Sequence, residues 1–389
     1  MINILYLHAG SELYGADRIL LELVVGLDKK IFHPIVVLPS KGRLSNKLNE
    51  ADIENYVVDY PILRRKYFNI KGVVNYIFSY GKSVNKIIGL VRDKNINLIH
   101  VNTTAVLEGI LLKKKLRVPL LWHIHEIIEH PKIIVKVTDF LIGRYSDKIV
   151  AVSKSVKDNL EKSKYISSNK IQVIYNGVDN NIYNNKNETK YLYSEFQIPP
   201  KSIRVGMIGR VNSWKGQRDF LRAISPILYK NAEVYAFLVG GVFSEEGWRL
   251  SNLKREVSNN PFCKQIRVIN FRTDTPNFHN FFDIFVLPST APDPLPTVVL
   301  EAMATGKPIV GYRHGGVTEM VKEGENGMLA DPNNIEDLSI VIGKLIKSKK
   351  LREQMGDSSF NREKILFSKD AFLERFSNLY MKILFKDKG

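Results

Sequence analysis

Cysteine is nearly absent from this chain. Cys263 is the one cysteine in 389 residues, so no disulfide can form within the chain, which suits a reducing compartment. As a lone thiol in the loop Asn260-Pro261-Phe262-Cys263 it reads as inert. Long apolar runs are missing as well. No uninterrupted stretch approaches the about 20 residues that a membrane helix needs, so none is expected. The opening MINILYLHAG lacks the basic start and the apolar segment of a signal peptide and reads as a first strand, which points to the cytoplasm. Acid is scarce relative to base: 57 Lys and Arg against 40 Asp and Glu leave a net charge of +17. That excess implies an anionic membrane surface, an anionic substrate or nucleic acid as partner, unless it reflects a bias toward Lys, Asn and Ile. No nucleic-acid motif is recognisable, so a basic nucleic-acid-binding protein is the weakest of these readings.

What is present is ordinary globular composition, 44% hydrophobic and 25% charged, in a chain longer than one core normally serves. Two domains are therefore expected. The most informative stretch runs from Phe281 to Asp331. Ile284 to Leu287, bounded by Pro288, reads as a buried strand of a parallel sheet. A Pro-rich loop holding Asp293 follows, and then a helix from Thr297 that stops at Gly306. Pro308 to Tyr312 forms the next strand and leads into Gly315-Gly316. Each loop lies at the carboxyl end of a strand, the edge at which open α/β sheets bind ligands. Pro296 suits a helix start, where Thr297 and Val298 offer unpaired amides and the positive end of a dipole, a ready phosphate site. Asp293 and Glu301 stand on either side and could accept bonds from hydroxyls. Phosphate between two hydroxylated rings describes a nucleotide sugar. Read alone, the spacing suits equally well a turn residue at Asp293 and a local surface pairing at Glu301.

Earlier in the chain, Ile2 to Leu7 is strand one, followed by a turn through Gly10 and Gly15 into a helix with Ile19, Leu20, Leu23 and Val24 on its apolar face. The spacing is not Gly-x-Gly-x-x-Gly, so a dinucleotide site is poorly supported. Arg64 to Lys94 holds eight basic residues and one acid, Asp93, interleaved with aromatic and apolar residues. This fits either a basic amphipathic helix on a membrane surface or a helix packed on the sheet with a basic outer face. A second basic run is Lys113-Lys114-Lys115 with Arg117. His125-Glu126 ends the strand Pro119 to Ile124; His8, His33, His100 and His123 read as structural. Asn180 to Lys190 reads as linker and hinge. Arg204 to Ile208 opens the second domain, and the loop after it carries Arg210 and Lys215. Two cations five apart on a strand-to-helix loop can converge on a phosphate pair, Arg210 bidentately and Lys215 as a point charge.

These motifs together resemble the retaining glycosyltransferases of family 4. That family carries Glu, seven residues, Glu, then Ala-Met-Ala and a Gly-Gly-x-x-Glu turn. Here Glu301 precedes Ala302-Met303-Ala304, the turn is Gly315-Gly316-Val317-Thr318-Glu319, and Asp293 stands in place of the first Glu, about one methylene shorter. Leu295-Pro296-Thr297 replaces Phe-Gly-Leu, and Phe271-Arg272-Thr273 replaces the glycine of the base-reading loop. Tyr14-Gly15-Ala16-Asp17-Arg18 is similar to the family's Gly-Gly-Ala-Glu-Arg, His125-Glu126 to its His-Asp or His-Glu pair, and Gly209-Arg210…Lys215-Gly216 to its Gly-Arg…Lys-Gly.

The resemblance implies an α/β protein of the GT-B fold, two Rossmann-like doubly wound domains facing across a cleft. Residues 1–185 would form the acceptor-side domain, with the helix 371–389 packing back on it, and 200–370 the nucleotide-sugar-binding domain. It implies a nucleoside-diphosphate sugar as donor. Gly15 would face the diphosphate or the sugar, Arg210 and Lys215 the diphosphate, Glu301 the ribose, and Asp293 and His125 the transferred sugar. No Asp-x-Asp is present, so no metal or other cofactor is expected. Enzymes of this kind build bacterial surface polysaccharides such as O-antigen and capsule on lipid carriers. The expected acceptor is therefore a saccharide, polyprenyl-diphosphate-linked, met peripherally at the inner face of the cell membrane. A nucleotide-sugar 2-epimerase of the same fold is the alternative enzyme.

Overall fold

Runs such as Ile2–Leu7 and Val234–Val239 are apolar at nearly every position, so both faces of each strand must be covered. That is the pattern of a parallel sheet with helices on both sides. The computed structural model describes residues 1–13, 15–64 and 67–385. The chain divides into two units, residues 1–176 with 370–389, and residues 177–369.

The first unit is a seven-stranded parallel sheet. Its strands are β1 (Ile2–Leu7), β2 (Phe32–Leu38), β3 (Glu54–Val57), β4 (Ile96–Val101), β5 (Leu120–Ile124), β6 (Lys148–Ala151) and β7 (Ile171–Val173). Their order is β3-β2-β1-β4-β5-β6-β7. The chain winds outward from β1 to one edge, returns, and winds from β4 to the other, so the direction reverses between β1 and β4. One face is closed by the helix Gly15–Gly26 through Ile19, Leu20, Leu23 and Val24, and by the last helix, Lys369–Leu384, through Phe372, Phe376, Leu379 and Tyr380. The Tyr380 hydroxyl lies 3.0 Å from that of Tyr6 and 2.7 Å from His100 Nδ1. Aromatic side chains with polar tips satisfied inside the core anchor this helix to the sheet.

The second unit repeats the plan with six strands. They are β8 (Ile203–Ile208), β9 (Val234–Val239), β10 (Ile266–Ile269), β11 (Ile284–Leu287), β12 (Ile309–Tyr312) and β13 (Gly327–Ala330). The order β10-β9-β8-β11-β12-β13 places the reversal between β8 and β11.

Two expectations change. Residues 177–185, assigned from sequence to the first domain, belong to the second unit, so the boundary is at Asn176. The Val178 N–H donates to Phe367 O (2.9 Å), and Lys369 Nζ meets Asp179 Oδ2 (2.8 Å). The Asn-rich stretch is not a loose linker either. Asn184 Nδ2 donates to the carbonyls of Asn180 (3.1 Å) and Asn181 (3.2 Å), and Asn280 Nδ2 to that of Asn187 (2.7 Å). Polar composition here reflects side chains capping backbone groups.

The basic segment departs from the reading of a packed helix with a basic outer face. Arg65 and Lys66 lie outside the described residues. The helix Ile70–Val91 packs through Val84, Ile87 and Val91, yet its outer side is not merely basic. Ile70, Val73, Val74, Ile77 and Phe78 are all exposed, Phe78 at 81%.

Replacing Phe376 by Ala removes a fully buried ring between the last helix and the sheet. Denaturant unfolding followed by circular dichroism should show the first unit destabilised by about 3–5 kcal/mol.

Candidate functional site

In the second unit, the site grows from the loops on either side of the reversal point. The loop leaving β8 is shaped by Asn212, whose Oδ1 accepts from the amides of Trp214 (3.1 Å) and Lys215 (2.8 Å). It ends at Gly216, whose φ is +84°; a Cβ there would lie 1.8 Å from Pro288 O. Only glycine permits this approach. The loop leaving β11 is drawn against it by Thr290, which donates its N–H to Trp214 O (2.7 Å). The turn after β12 closes on the same place. Gly316 N–H donates to Asp293 O (2.7 Å), and His314 Nε2 lies 2.6 Å from Ser289 O.

Lys215 and Asp293 meet in this angle as an ion pair with both side chains largely buried. Lys215 also lies over the Trp214 ring, 4.6 Å from its centroid. Arg210 does not join the pair; its guanidinium stacks on Phe243 at 4.0 Å. The helix Thr297–Ala304 starts at Pro296. The Val299 amide returns to Pro296 O (3.0 Å), while those of Thr297 and Val298 have no partner among the described residues. Glu301, one turn further on, is 6% exposed, and its Oε2 is 3.0 Å from Nε2 of the fully buried His279. A buried carboxylate on a histidine is not the loose surface pairing that the sequence left open.

In the first unit, the loops around its own reversal point gather a second group. Gly15 opens the helix Gly15–Gly26 with φ +25° and open space where a Cβ would be; Tyr14 lies outside the described residues. His125, just past β5, places Nε2 3.1 Å from Asn102 Oδ1, and Asn102 Nδ2 is 3.1 Å from His8 Nδ1. His8 Nε2 is 2.6 Å from Asp17 Oδ1. Burial and the neighbouring His8 push the His125 ring down to about 3, with Asp17 pulling weakly the other way. His125 is thus neutral across the physiological range. Burial also raises Glu126, which accepts from Thr103 Oγ1 (2.6 Å).

Sequence reasoning named Gly15, His125, Arg210, Lys215, Asp293, Thr297, Val298 and Glu301. The structure joins Lys215 with Asp293, whose loop leads into the Thr297 helix, whereas Arg210 and Glu301 have partners of their own. His8, Asn102 and Asp17 were missed as site residues. Their signal was positional, since each sits on a loop or helix start beyond β1 or β4, flanking the reversal. Phe243 and His279 left no signal in sequence. Among the described residues no group of His, Cys, Asp and Glu is arranged to hold a metal ion, and no helix is long and apolar enough to cross a membrane.

Two family models match the chain. One, described as Glycosyl transferases group 1, covers residues 192–362, and the other, Glycosyltransferase Family 4, covers residues 14–181. The chain is 26% identical over 248 residues to the capsular polysaccharide biosynthesis glycosyltransferase CapM of Staphylococcus aureus. That match covers 62% of this chain and 63% of the relative, less than two thirds of its length. It is 27% identical over 322 residues to an uncharacterised glycosyltransferase, MJ1178, of Methanocaldococcus jannaschii, covering 79% and 80%. Among solved structures, Anabaena Alr3699/HepE in complex with UDP is similar in fold, with a TM-score of 0.85 at 22% identity over 98% of this chain and 100% of that one.

The buried rings of the first unit make its stability pH-dependent. Burial holds His100 and His123 well below the usual 6.5, as it does His125. Below pH about 6.5 the unfolded chain therefore binds more protons than the folded one, and stability falls with pH by up to about 1.4 kcal/mol per unit per ring. Glu108 acts in the opposite sense. Burial pushes it up to about 8, so stability is lost as pH rises from 4.5 through that value. Urea unfolding across pH 4 to 9 should give a maximum near about pH 6.5, and Glu108→Gln should flatten its alkaline side.

Proposed function

Because the chain belongs to the group 1 glycosyltransferases, we propose that it is a retaining enzyme of the GT-B type. It moves a sugar from a nucleoside-diphosphate sugar to a lipid-linked saccharide in the assembly of a surface polysaccharide. The observation that carries this reading is the Lys215–Asp293 pair at the reversal point of the second sheet, on the same loop that leads into the unpartnered Thr297 and Val298 amides. A diphosphate placed there takes its charge neutralisation from Lys215, Arg210 and the helix start. By competing for Lys215 it releases the Asp293 carboxylate to accept from a hydroxyl of the sugar. Glu301 holds the ribose, and Gly15 and His125 face the transferred group. These cations do the work a metal would otherwise do. The bond from the sugar to the diphosphate breaks and a bond to the acceptor oxygen forms on the same face, the acceptor's proton passes to the departing diphosphate, and no side chain is assigned as nucleophile. CapM, which shares the family, is named for capsular polysaccharide biosynthesis, and this supports the acceptor class.

The acceptor's membrane is reached through the first unit. The exposed apolar row of the helix Ile70–Val91 is flanked by exposed Lys71, Lys82, Lys86 and Arg92. The helix Glu108–Leu116 joins it through Lys115 Nζ to Asn85 Oδ1 (3.0 Å). The next helix, Lys132–Tyr145, meets Lys114 over the Tyr145 ring (4.9 Å) and exposes Ile133, Val137 and Phe140. Apolar side chains ringed by lysine complement an anionic lipid surface.

A thermal-shift screen against UDP, GDP, dTDP, CMP and NAD should show stabilisation by one nucleoside diphosphate, unchanged by EDTA. Arg210→Ala should weaken that ligand about 10- to 100-fold, the worth of a charge-assisted bond. No shift with any nucleotide would sink the donor reading, and a new nucleotide sugar formed without diphosphate release would make the enzyme an epimerase. In vesicle sedimentation the protein should prefer anionic to neutral lipid, and Ile77→Asp with Phe78→Asp should abolish the preference. Equal binding to both lipids would remove the membrane from the account.

A further inference from the structure

Four side chains form one hydrogen-bonded row across the reversal point of the first sheet: Asp17, His8, Asn102 and His125, spaced 2.6, 3.1 and 3.1 Å. Asp17, His8 and Asn102 are buried, with Asn102 fully so. The direction of the row can be worked out from its ends. Asp17 accepts at both oxygens, Oδ2 from the Leu13 N–H (2.8 Å) and Oδ1 from His8, so His8 carries a proton on Nε2. The Asn102 amide nitrogen faces His8 Nδ1 at 3.1 Å, so Nδ1 is the acceptor of that bond. The Ala16 carbonyl, 3.5 Å from the same nitrogen and able only to accept, agrees with that orientation. The Asn102 oxygen is thereby turned to His125, which has to donate from Nε2. No described residue bonds His125 Nδ1.

We propose that Asp17, His8 and Asn102 are positioning residues that hold His125 as its Nε2–H tautomer, so that Nδ1 presents a lone pair to a hydroxyl of the transferred sugar. At Nδ1, His125 is therefore an acceptor and not a donor. The tautomer follows from the first unit alone; only the identity of the group that meets Nδ1 rests on the function proposed above. The surroundings keep the ring neutral. The titratable groups around it are His8 just past β1, Asp17 on the following helix, His100 on β4, His123 on β5 with its ring 4.0 Å away, and Glu126, which accepts from the His125 amide at 3.2 Å. The last helix adds the Phe376 ring against His123 and the Tyr380 hydroxyl at His100 Nδ1 (2.7 Å). A donating histidine would favour a sugar oxygen without hydrogen at that point, whereas this one requires a hydroxyl.

The test is long-range proton–nitrogen correlation on the full-length protein with 15N-histidine. His125 should show a protonated Nε2 and a bare Nδ1, unchanged from pH 8 to pH 5. A proton on Nδ1, or titration near the ordinary histidine value, would overturn the proposal. Asn102→Ala should mix the tautomers and weaken UDP-glucose, used as the probe, about tenfold while leaving UDP binding unchanged. Equal losses for both would mean a merely structural role. Asn102→Asp cannot donate to His8 and places a carboxylate beside His125. It should bring the ring's titration into the range pH 5 to 8 and make UDP-glucose binding, but not UDP binding, pH-dependent. If UDP-glucose binds but leaves the His125 nitrogens unmoved, the sugar contact fails even where the tautomer is as expected.

Discussion

A parallel sheet wound outward in both directions from one pair of strands cannot cover the carboxyl ends of that pair. The two crossover connections leave in opposite directions, and a gap opens between their loops. This constraint operates twice in the protein, between β1 and β4 and between β8 and β11. In each unit the polar residues of interest stand on the loops that border the gap. Apolar runs that fill both faces of the sheets fix where the gaps fall. The glycines at 216, 315 and 316 then let neighbouring loops close to backbone contact. The Lys215–Asp293 pair is what that closeness produces: two opposite charges held by loops from separate strands.

The two gaps are equipped differently. The one in the second unit offers cations, unpartnered amides and a buried acid, the equipment for a charged and hydroxylated ligand. The one in the first unit offers the neutral His125 ring and the Asn102 amide, whose hydrogen bonds have one direction only. A site for a leaving diphosphate needs charge that stabilises departure. A site for the sugar needs geometry and hydroxyl recognition without competing charge. Burial, which keeps the His125 ring neutral, suits the second task.

Much of this was legible in the sequence because parallel strands announce themselves by continuous apolar runs and helix starts by their cap and proline residues. Ile284–Leu287, Val234–Val239 and the Thr297 helix stand close to where the pattern placed them. What was not legible depended on contacts between distant segments. Lys215 and Asp293 are 78 residues apart, and nothing in either neighbourhood announces the pair. His8 looked structural, and Asn102 drew no notice, because their partners are supplied by the fold. The Asn180–Lys190 stretch looked like linker because composition reports polarity and not the carbonyls those amides cap. The apolar outer row of the helix Ile70–Val91 was visible as residues, but which side faced the sheet was settled only by packing.

The central claim is that the gap between β8 and β11 holds a diphosphate. A crystal structure with the nucleoside diphosphate that stabilises the protein tests it most directly. The account predicts phosphate oxygens bonded to the Thr297 and Val298 amides, and Lys215 Nζ moved from Asp293 to the phosphate. A nucleotide bound elsewhere, with the Lys215–Asp293 pair intact, would contradict it.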